Sequence, residues 1–352
     1  MARRKRLSEQ VMVITGGSSG IGLATARLAA SRGARLVLAS RSESDLQAVC
    51  DEIRRRGGQA LAVAADVANP EAVDRLGALA VATFGRIDTW VNNAGASLFG
   101  KLTEVPLEDE RRVFETNYWG VVHGCRTAVQ RMRFRGGTII NVGSIVSDRA
   151  IPLQGAYSAS KHAVKGYSDA LRMELERDGV PIAVTLVKPA SIDTPFFEHA
   201  RSYLAEEPAA APPVYAPDTV ARAICACAER PVRSITVGGA GRMLTLMGVV
   251  APRLSDVYME HALFEGQTAG RPNDARDSLH APGDGGRESG GYEGHVMRSS
   301  AYTRAMLSDV GRALPLLALG AAVGLGVSAL RRGEGEGEWT GGERRMPAAS
   351  AH

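Results

Sequence analysis

Tyr157 and Lys161 stand four residues apart within Gly155–Asp178, a run whose apolar residues recur at helical spacing. On a helix, two side chains at that interval share a face. A phenol ordinarily titrates at about 10, and a neighbouring ammonium favours its ionised form. Such a pair could give a proton to, or take one from, a carbonyl or alcohol oxygen. Taken alone, it reads equally as an exposed helical pair. A second stretch with chemical content is Thr15-Gly16-Gly17-Ser18-Ser19-Gly20-Ile21-Gly22, directly after the apolar run Val11–Ile14. Gly16 permits a tight turn, and Gly20 and Gly22 let backbone and helix close on an extended phosphate group. Amides at the start of the helix would then point at negative charge. Turns before helices also carry glycine for packing alone. The strand before this loop and the helix after it favour dinucleotide binding.

The elements that must position these groups alternate. Val11–Thr15, Arg35–Ala39, Ala60–Ala65, Thr89–Asn92, Thr138–Val142, Ile182–Val187 and Ser234–Val237 read as strands. Ile21–Ser31, Ser44–Arg56, Pro70–Phe84, Gly155–Asp178 and Ala216–Arg230 read as helices. That rhythm predicts parallel strands joined by crossover helices. Strands apolar on both faces, such as Val37-Leu38-Ala39 and Ile139-Ile140, require helices on both sides of the sheet. The fold class expected is α/β, a doubly wound Rossmann-type parallel sheet in a single domain over residues 8–264.

Outside that domain, residues 1–7 read as a basic, solvated end. Residues 265–311 are rich in Gly, Pro, Asp, Arg and Ser without periodicity and read as flexible linker. Residues 312–332 hold the uncharged run Ala313–Leu330, long enough as a helix to match a bilayer core and carrying Gly320 and Gly324 as a small-residue face. It is a candidate membrane helix, with a helix packed on the catalytic domain as the alternative. Residues 333–352 read as a disordered tail. The net charge of +4 gives no argument for nucleic acid. Cys50 and Cys125 read as buried small hydrophobes, and Cys225 and Cys227 lack the companions of a metal site. No metal is expected. A reduced, cytoplasmic catalytic domain follows, anchored to a membrane if 313–330 inserts.

The glycine loop resembles the G-x-x-x-G-x-G turn of the short-chain dehydrogenase/reductase family, and the resemblance continues in order along residues 8–240. Asn92-Asn93-Ala94-Gly95 matches the family's N-N-A-G, Asn117 heads Asn-Tyr-Trp-Gly, and Ser144 lies 13 residues before Tyr157-Ser-Ala-Ser-Lys161, the family's Y-x-x-x-K. Lys188-Pro189-Ala190-Ser191-Ile192-Asp193-Thr194 is similar to its P-G-x-x-x-T segment, with alanine at 190. The resemblance implies hydride transfer between a nicotinamide cofactor and an alcohol or carbonyl, with Asn117, Ser144, Tyr157 and Lys161 catalytic. It implies a cofactor site of Gly16, Ser18, Ser19, Gly20, Ile21, Gly22, Ser40, Arg41, Asp66, Val67, Asn93, Ala94, Gly95, Tyr157, Lys161, Pro189, Ile192 and Thr194. Within this, Asp66 would bond the adenine amino group, or cap the helix starting at Pro70. Thr194 would bond the nicotinamide carboxamide, and Asn93 would stiffen the sheet. The family habit of pairing through long helices implies a homo-oligomer.

The second strand ends Leu38-Ala39-Ser40-Arg41, where NAD binders usually place an acid. A guanidinium there suits a 2′-phosphate, so NADP(H) is expected over NAD(H). Ser147–Gln154 and Pro195–Pro213 should build a substrate pocket. Their apolar residues, with Ile145, Ile151, Leu153, Phe196, Phe197, Tyr203 and Leu204, suit a lipophilic small-molecule alcohol or ketone. Two alternatives stand beside this: a 3-oxoacyl-thioester reductase, and a dinucleotide-binding membrane scaffold without turnover.

Overall fold

The computed structural model describes residues 5–308 apart from Glu265 and Ala275. The chain divides into two units, residues 1–304 and 305–352, and the second lies outside the described residues beyond Ser308. The apolar run Ala313–Leu330 and the tail 333–352 therefore fall outside the description. Among the described residues no helix is long and apolar enough to cross a membrane.

Strand β1 (Val11–Thr15) leads through α1 (Gly20–Ser31), β2 (Arg35–Ser40), α2 (Glu43–Arg55), β3 (Gln59–Ala64) and α3 (Pro70–Phe84) to β4 (Thr89–Asn92). A two-residue strand β5 (Leu98–Phe99) precedes α4 (Leu107–Phe114) and α5 (Gly120–Met132). Then come β6 (Gly137–Val142), α6 (Gly155–Arg177) and β7 (Ile182–Pro189). Three short strands follow, β8 (Arg201–Ser202), β9 (Glu206–Pro208) and β10 (Val214–Tyr215), before α7 (Pro217–Glu229), β11 (Ser234–Val237), α8 (Gly239–Val250) and α9 (Pro252–Tyr258). The seven-stranded sheet runs β11-β7-β6-β4-β1-β2-β3, every pairing parallel. Strand order reverses between β1 and β4, which opens a crevice at their carboxyl ends, where open α/β sheets bind ligands.

The expected strands and helices lie where their periodicity places them, because each central strand is buried on both faces and each helix on one. Val11 to Ile14 and Leu36 to Ala39 are fully buried, and Trp90, Ile139 and Leu76 close the core between sheet and helices. All four cysteines are buried.

Two expectations for the flanking segments are corrected. From Lys5 onward the N-terminal end is tied down: Lys5 pairs with Asp88 at 2.5 Å, Leu7 is buried, and its amide donates to Glu229 at 2.9 Å. The stretch expected as a linker is also structured through Arg304. Its β12 (Thr268–Pro272) pairs antiparallel with β9, and its β13 (Val296–Met297) pairs parallel with β10. The first residues of α10 (Ala301–Leu307) supply Thr303, whose hydroxyl accepts from the Gly238 amide at 3.1 Å. What holds this stretch is mostly backbone and polar side-chain bonding, which needs no apolar periodicity.

Candidate active site

The glycine turn joins β1 to α1 at the switch point. Gly16 has φ +67° and Gly20 φ +53°, a region that glycine enters without strain. A Cβ on Gly16 would stand 2.9 Å from Ala94 Cα, and one on Gly22 only 1.9 Å from the Gly16 carbonyl oxygen. Gly22 thus serves the contact between helix and turn. Asn93 locks that turn: its Nδ2 donates to the Thr15 and Gly16 carbonyls at 3.0 and 3.2 Å. The Thr15 hydroxyl accepts from the Asn93 and Ala94 amides.

Ser144, at the end of β6, starts a short 3-10 turn, its hydroxyl accepting from the Val146 amide at 3.3 Å. Leu153, at φ +63°, reverses the chain into α6, which carries Tyr157 and Lys161. Tyr157 is buried and hydrogen-bonded to Ser144, which lowers its pKa, but burial outweighs this and pushes the phenol up to about 12. Lys161 Nζ stands 5.6 Å from the centroid of the Tyr157 ring and donates to the Val142 carbonyl at 2.9 Å. Burial brings its pKa down to about 8. The expectation that the ammonium would draw the phenol toward neutrality is therefore not met by these two groups alone: withdrawal from water disfavours both charged forms. Asn117 sits fully buried in a π-helical turn, Glu115–Trp119, between α4 and α5. Its Oδ1 accepts from the Ala96 amide at 2.8 Å, and its Nδ2 donates to the Ala96 carbonyl and to Ser160 Oγ at 2.9 and 3.0 Å. These bonds pin the Asn-Ala-Gly loop to the helix that bears Tyr157. Beneath them Trp90, Asn92, Asn141 and Ser168 form a buried chain of hydrogen bonds across β4, β6 and α6.

One cavity of about 560 Å³ joins these parts. Gly16, Ser19, Gly20, Ile21, Asn93, Ala94, Gly95, Ser144, Tyr157, Lys161, Pro189, Ile192 and Thr194 line it. Ser18, Gly22, Ser40, Arg41, Asp66, Val67 and Asn117, also expected at the site, are not among its lining residues. Asp66 does not cap α3, since Asn69 accepts from the Ala72 amide in that role. Instead Asp66 accepts from the Ala68 amide at 3.0 Å and pairs with Arg112 at 2.6 Å. Burial would raise its pKa, but these two partners, with Arg41 nearby, hold the carboxyl below its ordinary value. Arg41 donates to the Leu279 carbonyl at 3.1 Å and to the Ser278 carbonyl. Ser40 donates to the Ser42 carbonyl at 3.1 Å.

The far end of the cavity is apolar. Ile145, Ile151, Phe196 and Phe197 line it as expected, whereas Leu153, Tyr203 and Leu204 do not. Tyr203 instead donates its hydroxyl to Asp109 at 2.6 Å. Ala190, which replaces the family glycine, packs its methyl toward Gly238 and Gly241 at the foot of α8. Sequence reasoning missed Met243, Leu244, Met247, Tyr258 and Leu263, which form a wall from α8, α9 and the turn after them. Gln154 and Gln267, bonded to each other at 2.6 Å, add a polar pair to the lining. The apolar content of α8 was the available signal for that wall.

Residues 10–204 match the family model described as short chain dehydrogenase. The chain is 44% identical over 306 residues to an oxidoreductase of Bacillus subtilis (strain 168) named YxnA, covering 86% of each chain, a span that must include residues 278–290. It is 37% identical over 195 residues to a 3beta-hydroxysteroid dehydrogenase of Mediterraneibacter gnavus, covering 55% of this chain and 70% of that one. Among solved structures, a short-chain dehydrogenase/reductase from Burkholderia phymatum in complex with NAD superposes with a TM-score of 0.64 at 29% identity, over 74% of this chain and 97% of that one. An alcohol dehydrogenase from Thermococcus sibiricus complexed with 5-hydroxy-NADP gives 0.57 at 27% identity, over 64% and 95%.

Proposed function

The chain belongs to the short-chain dehydrogenase family, and on that premise we propose that it interconverts an alcohol and a carbonyl on a lipophilic substrate, with NADP(H) preferred and Tyr157 as the acid–base group. The observation that carries this reading is the convergence of Ser144, Tyr157 and Lys161 with the glycine turn on one cavity whose far end is apolar. Asn93 to Gly95, Pro189, Ile192 and Thr194 would hold the nicotinamide half of a dinucleotide, and the glycine turn its phosphates. Ser40, Arg41, Asp66 and Val67 would hold the adenosine half. The dinucleotide, when bound, supplies or accepts the hydride.

The chain's own residues supply the rest. Ser144 orients the substrate oxygen through its hydroxyl and steadies Tyr157. A phenol pushed up to about 12 keeps its proton at neutral pH, so Tyr157 is set as a donor to the oxygen of a carbonyl being reduced. Lys161, whose ammonium lies beside the ring, stabilises the phenolate left after that transfer and returns the proton. Asn117 acts on position, holding the Asn-Ala-Gly loop and α6 in register. Phe196, whose ring centroid is 5.4 Å from that of Tyr157, helps exclude water. Met243, Leu246, Val249, Val250 and Leu254 form an exposed apolar face on α8 and α9, beside the pocket wall. That face suits a substrate that partitions into lipid.

The test is a panel of ketones, including steroid-like, fatty and 3-oxoacyl-thioester compounds, assayed by loss of NADPH absorbance. Turnover of lipophilic ketones that falls at least about a hundredfold in Tyr157→Phe is expected. Undiminished turnover in that variant removes the mechanism, and turnover of small polar sugars alone removes the substrate class.

A further inference from the structure

Residues 278–290 run across the crevice where the adenosine half of a dinucleotide would lie. The Gly20 amide, at the head of α1, donates to the Arg287 carbonyl at 2.9 Å, and the Gly286 amide donates back to the Ser18 carbonyl at 2.8 Å. Arg41 spends its guanidinium on the Ser278 and Leu279 carbonyls, and Arg112 Nε donates to that same Leu279 oxygen at 3.1 Å. Donors suited to phosphate oxygens are thus met by main-chain carbonyl oxygens. The segment is also anchored away from those donors. Leu279 is buried among Leu98, Val105, Val113 and Ala156. Glu288 pairs with Arg27 at 2.7 Å, and the Gly290 amide donates to Asp193 at 3.0 Å.

We propose that residues 278–290 form a strap that competes with the dinucleotide for its own site and so sets the enzyme's cofactor affinity. The inference rests on the dinucleotide reading above. A cofactor phosphate that takes the Arg41 guanidinium must release the Ser278 and Leu279 carbonyls, and one seated on the Gly20 amide must release Arg287. Cofactor affinity is then the intrinsic affinity multiplied by the fraction of molecules with the strap open. Leu279, whose side chain is buried in an apolar cluster and offers a phosphate no donor, acquires control over binding through that fraction.

Two variants move the strap in opposite directions. Leu279→Ala removes the buried anchor, so NADPH should bind about tenfold tighter or more, since a buried leucine stabilises the closed position and its loss raises the open fraction. Asp45→Cys with Gly285→Cys locks the strap: a Cβ on Gly285 would stand 2.7 Å from Asp45 Cβ, so a shift of about 1 Å gives disulfide geometry. Oxidised, this variant should bind NADPH at least about tenfold more weakly than after reduction by dithiothreitol. In the full unmodified chain, saturating NADPH should accelerate amide hydrogen exchange across 278–290. Slower or unchanged exchange there, or equal NADPH affinity in the oxidised and reduced forms, overturns the strap while leaving the dinucleotide reading intact. Failure of NADPH and NADH to bind any form, reduced and loosened included, overturns both.

Discussion

Lys161→Met should make the folded chain more stable at neutral pH while abolishing turnover. Lys161 is buried, and its charge rests on a single carbonyl and the face of the Tyr157 ring. Burial brings its pKa from 10.5 down to about 8. Between those values the unfolded chain binds a proton that the native chain has lost, so Lys161 makes stability rise with pH in that window. Below about 8 both states are protonated and the whole penalty is present. Converted at about 1.4 kcal/mol per pH unit, that penalty is roughly 3 kcal/mol at pH 7. Methionine has a similar length and no charge, and leaves the Val142 carbonyl without this donor at a cost of about 1 kcal/mol. The variant should therefore be about 2 kcal/mol more stable at pH 7, and the advantage should fall close to zero by about pH 9.5. Urea unfolding of both proteins without cofactor, at the two pH values, measures this directly. A variant less stable at pH 7, or an advantage of equal size at both pH values, refutes the reasoning.

Arg41→Ala should lower kcat/KM with NADPH by about tenfold or more, through loss of a charge-assisted phosphate contact. The same change should leave NADH unchanged or improved, because it also frees the Ser278 and Leu279 carbonyls; an unaltered ratio of the two efficiencies would end the case for NADP(H). Gly22→Ala should cost at least about 1–3 kcal/mol, since its methyl would meet the Gly16 carbonyl at 1.9 Å. Gly166→Ala, on the open face of α6 with nothing within 4 Å of the added carbon, should stabilise by about 0.5–1 kcal/mol. A melting temperature that rises in Gly22→Ala, or falls in Gly166→Ala, would contradict the assignment for that glycine.

What could be read in the sequence and what could not differ in physical kind. The sheet was legible because burial on both faces leaves unbroken apolar runs such as Val11–Ile14, and because helix and strand impose different periods on the same residue types. Tyr157 and Lys161 were legible as a facing pair because four residues is a turn of helix, and Ser144 and Asn117 because motif spacing survives without a structure. The sign of the pair's titration was not legible. Spacing puts an ammonium beside a phenol, but the depth of both decides whether attraction or desolvation dominates, and depth is a property of everything packed above them. The strap was illegible for a related reason. Its polar, glycine-rich sequence has no period because it needs none: a buried leucine, main-chain bonds to Arg41, Arg112, Gly20, Ser18 and Asp193, and the Glu288–Arg27 pair hold it. A segment fixed by its backbone looks the same in sequence as one fixed by nothing. Low periodicity therefore excludes a packed helix or strand, but it does not exclude a bound segment where the folded domain already presents unpaired donors. A dinucleotide crevice is such a place, with helix amides and guanidinium groups turned toward a ligand, and any carbonyl-bearing chain long enough to reach it competes for them.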